Sequence, residues 1–226
     1  MQSVHDKVVT RNDFEPLSKI IYPPESFHFT RRFHEDNPNA AKLLSDGHAD
    51  DLTTNVFDKL TKYFFDDKPD DGHEYIQIFG LQRMRRVYKW IRRDYVRNET
   101  NLDKFKVILP KSNGSGAIGE VLSTPLVGLP LVGCTQTFIT VGAFDTRDEA
   151  EACLTYIKSK FARAMLGILK ATQHNPPATW AKVPLQDFSA SSDIDWRGEV
   201  DEQLYRKYGL SAAEVDFIES HVKAMD

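Results

Sequence analysis

The chain has 226 residues, 41% hydrophobic and 27% charged, with a formal net charge of −4, which suits a soluble globular protein with one good core, or one core and a small appendage. No apolar run approaches the roughly 18 residues of a membrane-spanning helix, and Met1 to Asp6 has neither the basic start nor the apolar run of a signal peptide. Two cysteines, Cys134 and Cys153, sit in apolar contexts without CxxC spacing, as expected of reduced, buried thiols in a cytoplasmic protein.

Residues 1–50 are irregular, with turn signals at Tyr22-Pro23-Pro24 and Asn37-Pro38-Asn39. Phe27, Phe29 and Phe33 suit a strand or a set of loop anchors. Asp51 to Phe65 predicts a short helix, with Val56, Leu60 and Phe64 at four-residue steps. Asp66 to Gly72 is a turn, and Glu74 to Leu81, rich in strand formers, predicts a strand. Gln82 to Tyr95 is expected to be an amphipathic helix. At about 100° per residue, Met84, Val87, Tyr88 and Ile91 share one arc, while Arg85, Arg86, Lys89, Arg92 and Arg93 share the other.

Phe105 to Leu109 predicts a strand that runs into the polar, glycine-spaced loop Lys111 to Gly116. Ala117 to Leu122 is a further candidate strand, Pro125 to Pro130 is turn-rich, and Thr135 to Val141 is a strand ended by Gly142. Asp145 or Thr146 is expected to cap a long helix running to about Ala171, with Glu149 completing a capping box with Thr146. Ala150, Cys153, Leu154, Ile157, Phe161, Ala164, Met165 and Ile168 lie on one face of that helix; Lys158, Lys160, Arg163 and Lys170 lie elsewhere. Pro176-Pro177 follows. Val183 to Phe188 is short and apolar, and Ser189 to Ser192 is linker-like. Glu199–Tyr208 and Ser211–Met225 predict two small helices separated by Gly209, the second with a Ser211/Glu214 capping box.

The expected fold class is therefore α+β: a small mixed, mostly antiparallel sheet, one long packed helix and a short helical C-terminal tail. The expected division is 1–188 for the main domain, with 1–73 poorly placed within it, and 189–226 for the tail.

Charge is sorted along the chain. Residues 35–74 carry eleven acids and four bases, and 82–111 ten bases and three acids. Residues 158–182 carry five bases and no acid, and 187–226 ten acids and four bases. A basic block can steer toward a polyanion whatever the overall pI. The face carrying Arg85, Arg86, Lys89, Arg92 and Arg93 has no acid before Asp94. Its like charges are relieved either by a phosphate backbone or by plain solvation. In the Lys111 loop, Ser112, Asn113 and Ser115 are short donors beside glycines that leave backbone amides open, as suits close approach to phosphates or base edges; the same composition also makes ordinary tight turns.

Other chemistry is not indicated. Gly114, Gly116 and Gly119 partly follow a dinucleotide fingerprint, but Glu120 to Ser123 does not predict the helix whose N-terminus would hold a pyrophosphate. Asn175-Pro176-Pro177-Ala178 lacks the aromatic fourth residue that stacks on a flipped base in adenine methyltransferase loops. The seven histidines have no metal-ligand spacing. Asp193, Asp195 and Asp201 suit helix capping better than a metal cluster. Catalytic residues and a metal site are thus expected to be absent.

Six stretches carry a family resemblance: Lys106 to Glu120, Thr135 to Gly142, Ala150 to Gln173, Val183 to Phe188, Ser192 to Trp196, and Glu202 to Glu219. Together, over roughly 74–226, they resemble the C-terminal target recognition region of bacterial adenine-specific restriction–modification DNA methyltransferases. The fused single-chain (type IIG-like) enzymes and their type I relatives are the nearest groups. The resemblance implies a module that reads double-stranded DNA while methylation and cleavage belong to a separate core in cis or in trans. It also implies that S-adenosylmethionine and Mg are bound in that core and that no cofactor is held here. Such a module would be a separate subunit, a split gene product or an excised piece, and not an enzyme on its own.

By carry-over, Lys111, Ser112, Asn113 and Ser115 belong to a recognition loop, and Thr135, Gln136 and Thr137 to a neighbouring strand. Arg83, Arg85, Arg86, Lys89, Arg92 and Arg93 are expected to supply phosphate contacts, joined by Lys106, Lys160 and Arg163. The alternatives are a protein-interaction subunit of such a complex, or a nuclease with an unrecognised site.

Overall fold

The computed structural model describes residues 1–112, 119–169 and 174–225. Helix α1 (Gln2–Val9) buries Val4 and Val8, one turn apart. Strands β1 (Ile21–Tyr22) and β2 (His28–Phe29) are short, and α2 (Arg31–Asp36) is capped by the Thr30 hydroxyl, which accepts from the Phe33 amide. The helix expected over Asp51–Phe65 shrinks to one turn, α3 (Val56–Lys59). Asp51, Thr53, Thr54 and Asn55 are poor helix formers. Leu52, Val56, Phe57, Leu60 and Phe64 are buried nonetheless, as anchors of an irregular segment.

Where one helix was expected over Gln82–Tyr95, the chain forms a hairpin, β3 (Tyr75–Gln82) and β4 (Arg85–Arg92), in unbroken register from Tyr75↔Arg92 to Gln82↔Arg85. Val87, Tyr88, Trp90 and Ile91 are β-branched or aromatic, and β3 offers them a ready partner strand. Strand β5 (Val96–Arg97) pairs with β2. Strand β6 (Phe105–Pro110) is as expected, and β7 (Leu126–Gly128) forms in the segment expected to be turns. Strands β8 (Val132–Cys134) and β9 (Phe138–Phe144) complete the sheets. The strand expected from Thr135 begins at Phe138 and runs through Gly142 to Phe144, while Thr135 to Thr137 form the turn before it. Glu120 to Leu122 are not strand, and 117–118 lie outside the described residues.

The long helix is also divided. The capping box on Thr146 and Glu149 starts α4 (Arg147–Lys158) as expected. The chain turns at Ser159 and restarts as α5 (Lys160–Leu166). Ser159 caps α5 through the Ala162 amide, and Asp201 accepts from the Lys160 and Phe161 amides at 3.0 and 2.8 Å. Two side-chain caps at the break satisfy amide donors that a continuous helix would have bonded internally. Helices α6 (Val200–Lys207) and α7 (Ala212–His221) follow, the latter with its expected Ser211/Glu214 box.

The largest sheet has order β1-β9-β6-β7 and is antiparallel. Because side chains alternate across a strand, its two faces serve two cores. Val107, Leu109, Ile139 and Val141 face a core built with α1, α4, α5 and the C-terminal helices. Ile108 and Phe138 face a second core built with Phe27, Phe29, Phe33, Phe57 and the sheet β4-β3-β8. In that sheet β3 and β8 run parallel. The fold is α+β, with mostly antiparallel strand pairing. The C-terminal helices pack onto the rest of the chain: Val200, Leu204, Tyr205 and Ile218 are buried in the first core, and the Ser3 hydroxyl and Lys7 ammonium donate to Glu214 of α7 at 2.5 Å each. Both cysteines are buried and free. No helix among the described residues is long and apolar enough to cross a membrane.

Candidate nucleic-acid interface

The turn of the β3–β4 hairpin is Arg83-Met84, with φ of 47° and 65°. Positive φ at both central residues defines the left-handed turn that matches strand twist, a position usually held by Asn-Gly or Asp-Gly. Here two long side chains occupy it. Arg83, Met84, Arg85 and Arg86 are all exposed, and Met84 is the most exposed of the large apolar residues at 88%. Neither Arg83 nor Arg85 has a side-chain hydrogen bond or ion pair among the described residues. On one face of the ribbon they border a shallow recess of about 600 Å³, with Gln82, Val87, Lys89 and Asp66. On the other face Arg86 braces the stalk. Its guanidinium donates to the Ser123 and Thr124 carbonyls at 2.9 and 2.8 Å and lies 5.7 Å from the centre of the Phe138 ring.

Topology brings further polar residues to the same end of the molecule. Strands β3 and β8 run parallel, so the end of β8 points the same way as the hairpin tip. The turn Thr135–Thr137 extends β8 there, with the Thr135 amide donating to the Phe79 carbonyl. Strand β9 starts, and β6 ends, at that level, since Phe138 opposes Pro110. The Lys111 amide donates to the Thr137 carbonyl at 3.0 Å, and the Asn175 amide to the Lys111 carbonyl at 2.7 Å. Ser112 Oγ and His174 Nδ1 lie 3.0 Å apart. Gly80 permits the close approach of hairpin and turn: a Cβ there would stand 2.6 Å from both the Phe57 ring and Thr135 Cγ2. Arg83, Arg85, Arg86, Lys111, Ser112, Gln136 and Thr137 thus share one end. Asn113 and Ser115, together with the rest of 113–118, lie outside the described residues.

Of this group, Gln136 is partly engaged. Burial acts against ionisation of Asp51, yet hydrogen bonds from His48 and from Gln136 hold its carboxyl below the usual range. Thr135 is fully buried, and its hydroxyl donates to that of Thr137.

Six further cations take other roles. Lys106 is fully buried and donates to the carbonyls of Leu102, Leu129 and Val132 at 3.2, 3.1 and 2.9 Å. It faces inward because it shares a strand face with Ile108. Burial lowers its ammonium to about 8, so it remains largely protonated at neutral pH. Arg163 is buried and donates to the carbonyls of Lys158, Gly119, Glu120 and Lys223. Lys160 pairs with Glu219. Lys89 is 5% exposed and donates to Asp66 at 2.5 Å. Arg92 grips Asp94 through two nitrogens and lies over the Tyr95 ring at 4.4 Å, while Arg93 donates to the Val96 carbonyl and sits 3.6 Å from Asp103. Arg92 and Arg93 stand at the far end of β4, roughly 20 Å or more from the tip at about 3.4 Å per residue. These six, expected from sequence to supply phosphate contacts, are thus engaged inside the fold or away from the tip and do not join Arg83 and Arg85 in one surface.

Sequence reasoning missed Met84 and the bracing role of Arg86. Without glycine, asparagine or aspartate in the turn, no residue type marked a hairpin. Comparison with family models, curated proteins and solved structures finds no match to this chain.

Proposed function

We propose that this chain is a DNA target-recognition module of a restriction–modification system, acting in the cytoplasm with a methyltransferase or endonuclease core in cis or in trans. The observation that carries the DNA-binding part is the pair of exposed arginines, Arg83 and Arg85, which have no side-chain partner among the described residues, at the tip of a braced hairpin. A two-stranded ribbon is one of the elements that fits a DNA groove, and free guanidiniums are available to phosphates without first breaking an ion pair. Arg83, Arg85 and Lys111 supply phosphate contacts, while Ser112, Gln136 and Thr137 meet base edges. S-adenosylmethionine and Mg chemistry belongs to the partner core. The restriction–modification assignment itself rests on the sequence resemblance.

Selection from a random duplex library, with and without a cognate methyltransferase core, tests this reading. An enriched motif of several base pairs is expected, with its selectivity altered in Thr137→Ala. Duplex binding without enrichment contradicts sequence reading. Absence of binding favours a protein-interaction subunit, and metal-dependent cutting by the purified chain favours a nuclease.

A further inference from the structure

We infer that Met84 is a wedge that enters the base stack of the duplex at one step, while Arg83 and Arg85 hold the flanking phosphates. This rests on the DNA-binding reading and adds a distortion of the DNA to it.

Three features lead to it. The first is the tip chemistry. Met84 is 88% exposed and lies between two cations that have no partner among the described residues. An isolated apolar side chain in water is ordinary; one set between two such arginines, at the most projecting point of a ribbon, matches a ligand with an anionic edge and an apolar interior. Stacked bases between phosphate backbones have that arrangement. Methionine is unbranched, slim and polarizable, and is among the side chains that pry base steps apart.

The second is the backbone. Arg83 and Met84 both hold positive φ, a conformation that costs L-residues with a Cβ and is free to glycine. Strained positions of this kind gather at functional sites. The third is stiffness. Arg86 is tied to the Ser123 and Thr124 carbonyls, and the hairpin register runs without a break to the turn. A wedge needs such a backing, because opening a base step requires a tip that does not fold away. The wedge reading also selects DNA by deformability: pyrimidine–purine steps unstack most readily and are the expected entry points.

The test uses the full chain with duplexes carrying 2-aminopurine at successive positions and a donor–acceptor pair at the ends. Wild type is expected to raise 2-aminopurine fluorescence at one step and to shorten the end-to-end distance. Met84→Ala is expected to lose both signals at duplex concentrations that still saturate the protein, because the phosphate contacts remain. Met84→Leu is expected to keep both. The Arg83→Asn/Met84→Gly pair restores a turn-favoured dipeptide, so its thermal midpoint is expected to rise while both signals vanish, which separates loss of the wedge from loss of the fold. Duplex bound without a fluorescence change, or with the same change in Met84→Ala, overturns the wedge and leaves DNA binding standing. No duplex bound at low salt overturns the DNA reading beneath it.

Discussion

Lys106 shows how a cation can be structural in every one of its donors. Its three N–H groups meet the carbonyls of Leu102, Leu129 and Val132, which fastens β6 to the chain on either side of it. Replacing it by methionine keeps the stem but takes the ammonium from the Val132 carbonyl, while the Leu102 and Leu129 carbonyls still accept from the Leu131 and Val132 amides. Since an unmet buried acceptor costs about 1–3 kcal/mol, Lys106→Met should lower stability by about that amount. Chemical denaturation measures this, and duplex affinity of the folded protein should not change. In sequence, Lys106 is indistinguishable from Lys111: both lie in or beside the same apolar strand, and only the second core, assembled from residues between Phe27 and Phe138, tells which one is buried. Arg92 and Arg93 were likewise inseparable from Arg83 and Arg85, because the acids that neutralise them include Asp36, distant in sequence.

At the scale of elements, period and partner competed. Met84, Val87, Tyr88 and Ile91 satisfy a helical arc, and the strand alternation of Val87, Lys89 and Ile91 is disguised by a buried lysine. Short apolar patterns of this kind fit both periods; pairing with β3 decided for the strand. Strands β3 and β6 and both capping boxes were legible because their signals are local. The break at Ser159 was not, because half of its capping comes from Asp201, far along the chain. Gly80 couples the hairpin to the Thr135–Thr137 turn through a contact with no room for a methyl group. Gly80→Ala should destabilise by about 1–3 kcal/mol, the range for overpacking. A lowered thermal midpoint, together with altered amide shifts at Phe57 and Thr135, would report it.

Over the whole molecule, the acidic blocks fold back onto the basic ones. Asp36 and Asp66 meet Arg92 and Lys89, and Glu219 meets Lys160. The charge sorting seen in sequence is thus largely internal complementarity, and among the described residues the hairpin tip is left exposed and unpaired. The chain ends are joined as well, by Lys7 and Ser3 on Glu214. Those bonds lower the Glu214 carboxyl from 4.5 to about 2. A carboxyl depressed in the folded state contributes stability that is complete above its unfolded value and lost as pH falls toward the folded one. Wild type should therefore lose α1–α7 stabilisation between pH 4.5 and about 2. Glu214→Gln, already lacking the ion pair, should show a shallower decline over that window, read as thermal midpoint against pH.

The central claim, that the hairpin tip is the phosphate-binding surface, is tested most directly by duplex affinity across a salt series. Each phosphate-contacting cation lost reduces the log–log slope by about 1. Arg83→Ala/Arg85→Ala should weaken binding on all sequences and lower the slope by about 2, whereas Arg92→Ala/Arg93→Ala should leave slope and affinity near wild type. The contradicting result is an equal loss from both pairs, or a loss confined to Arg92 and Arg93.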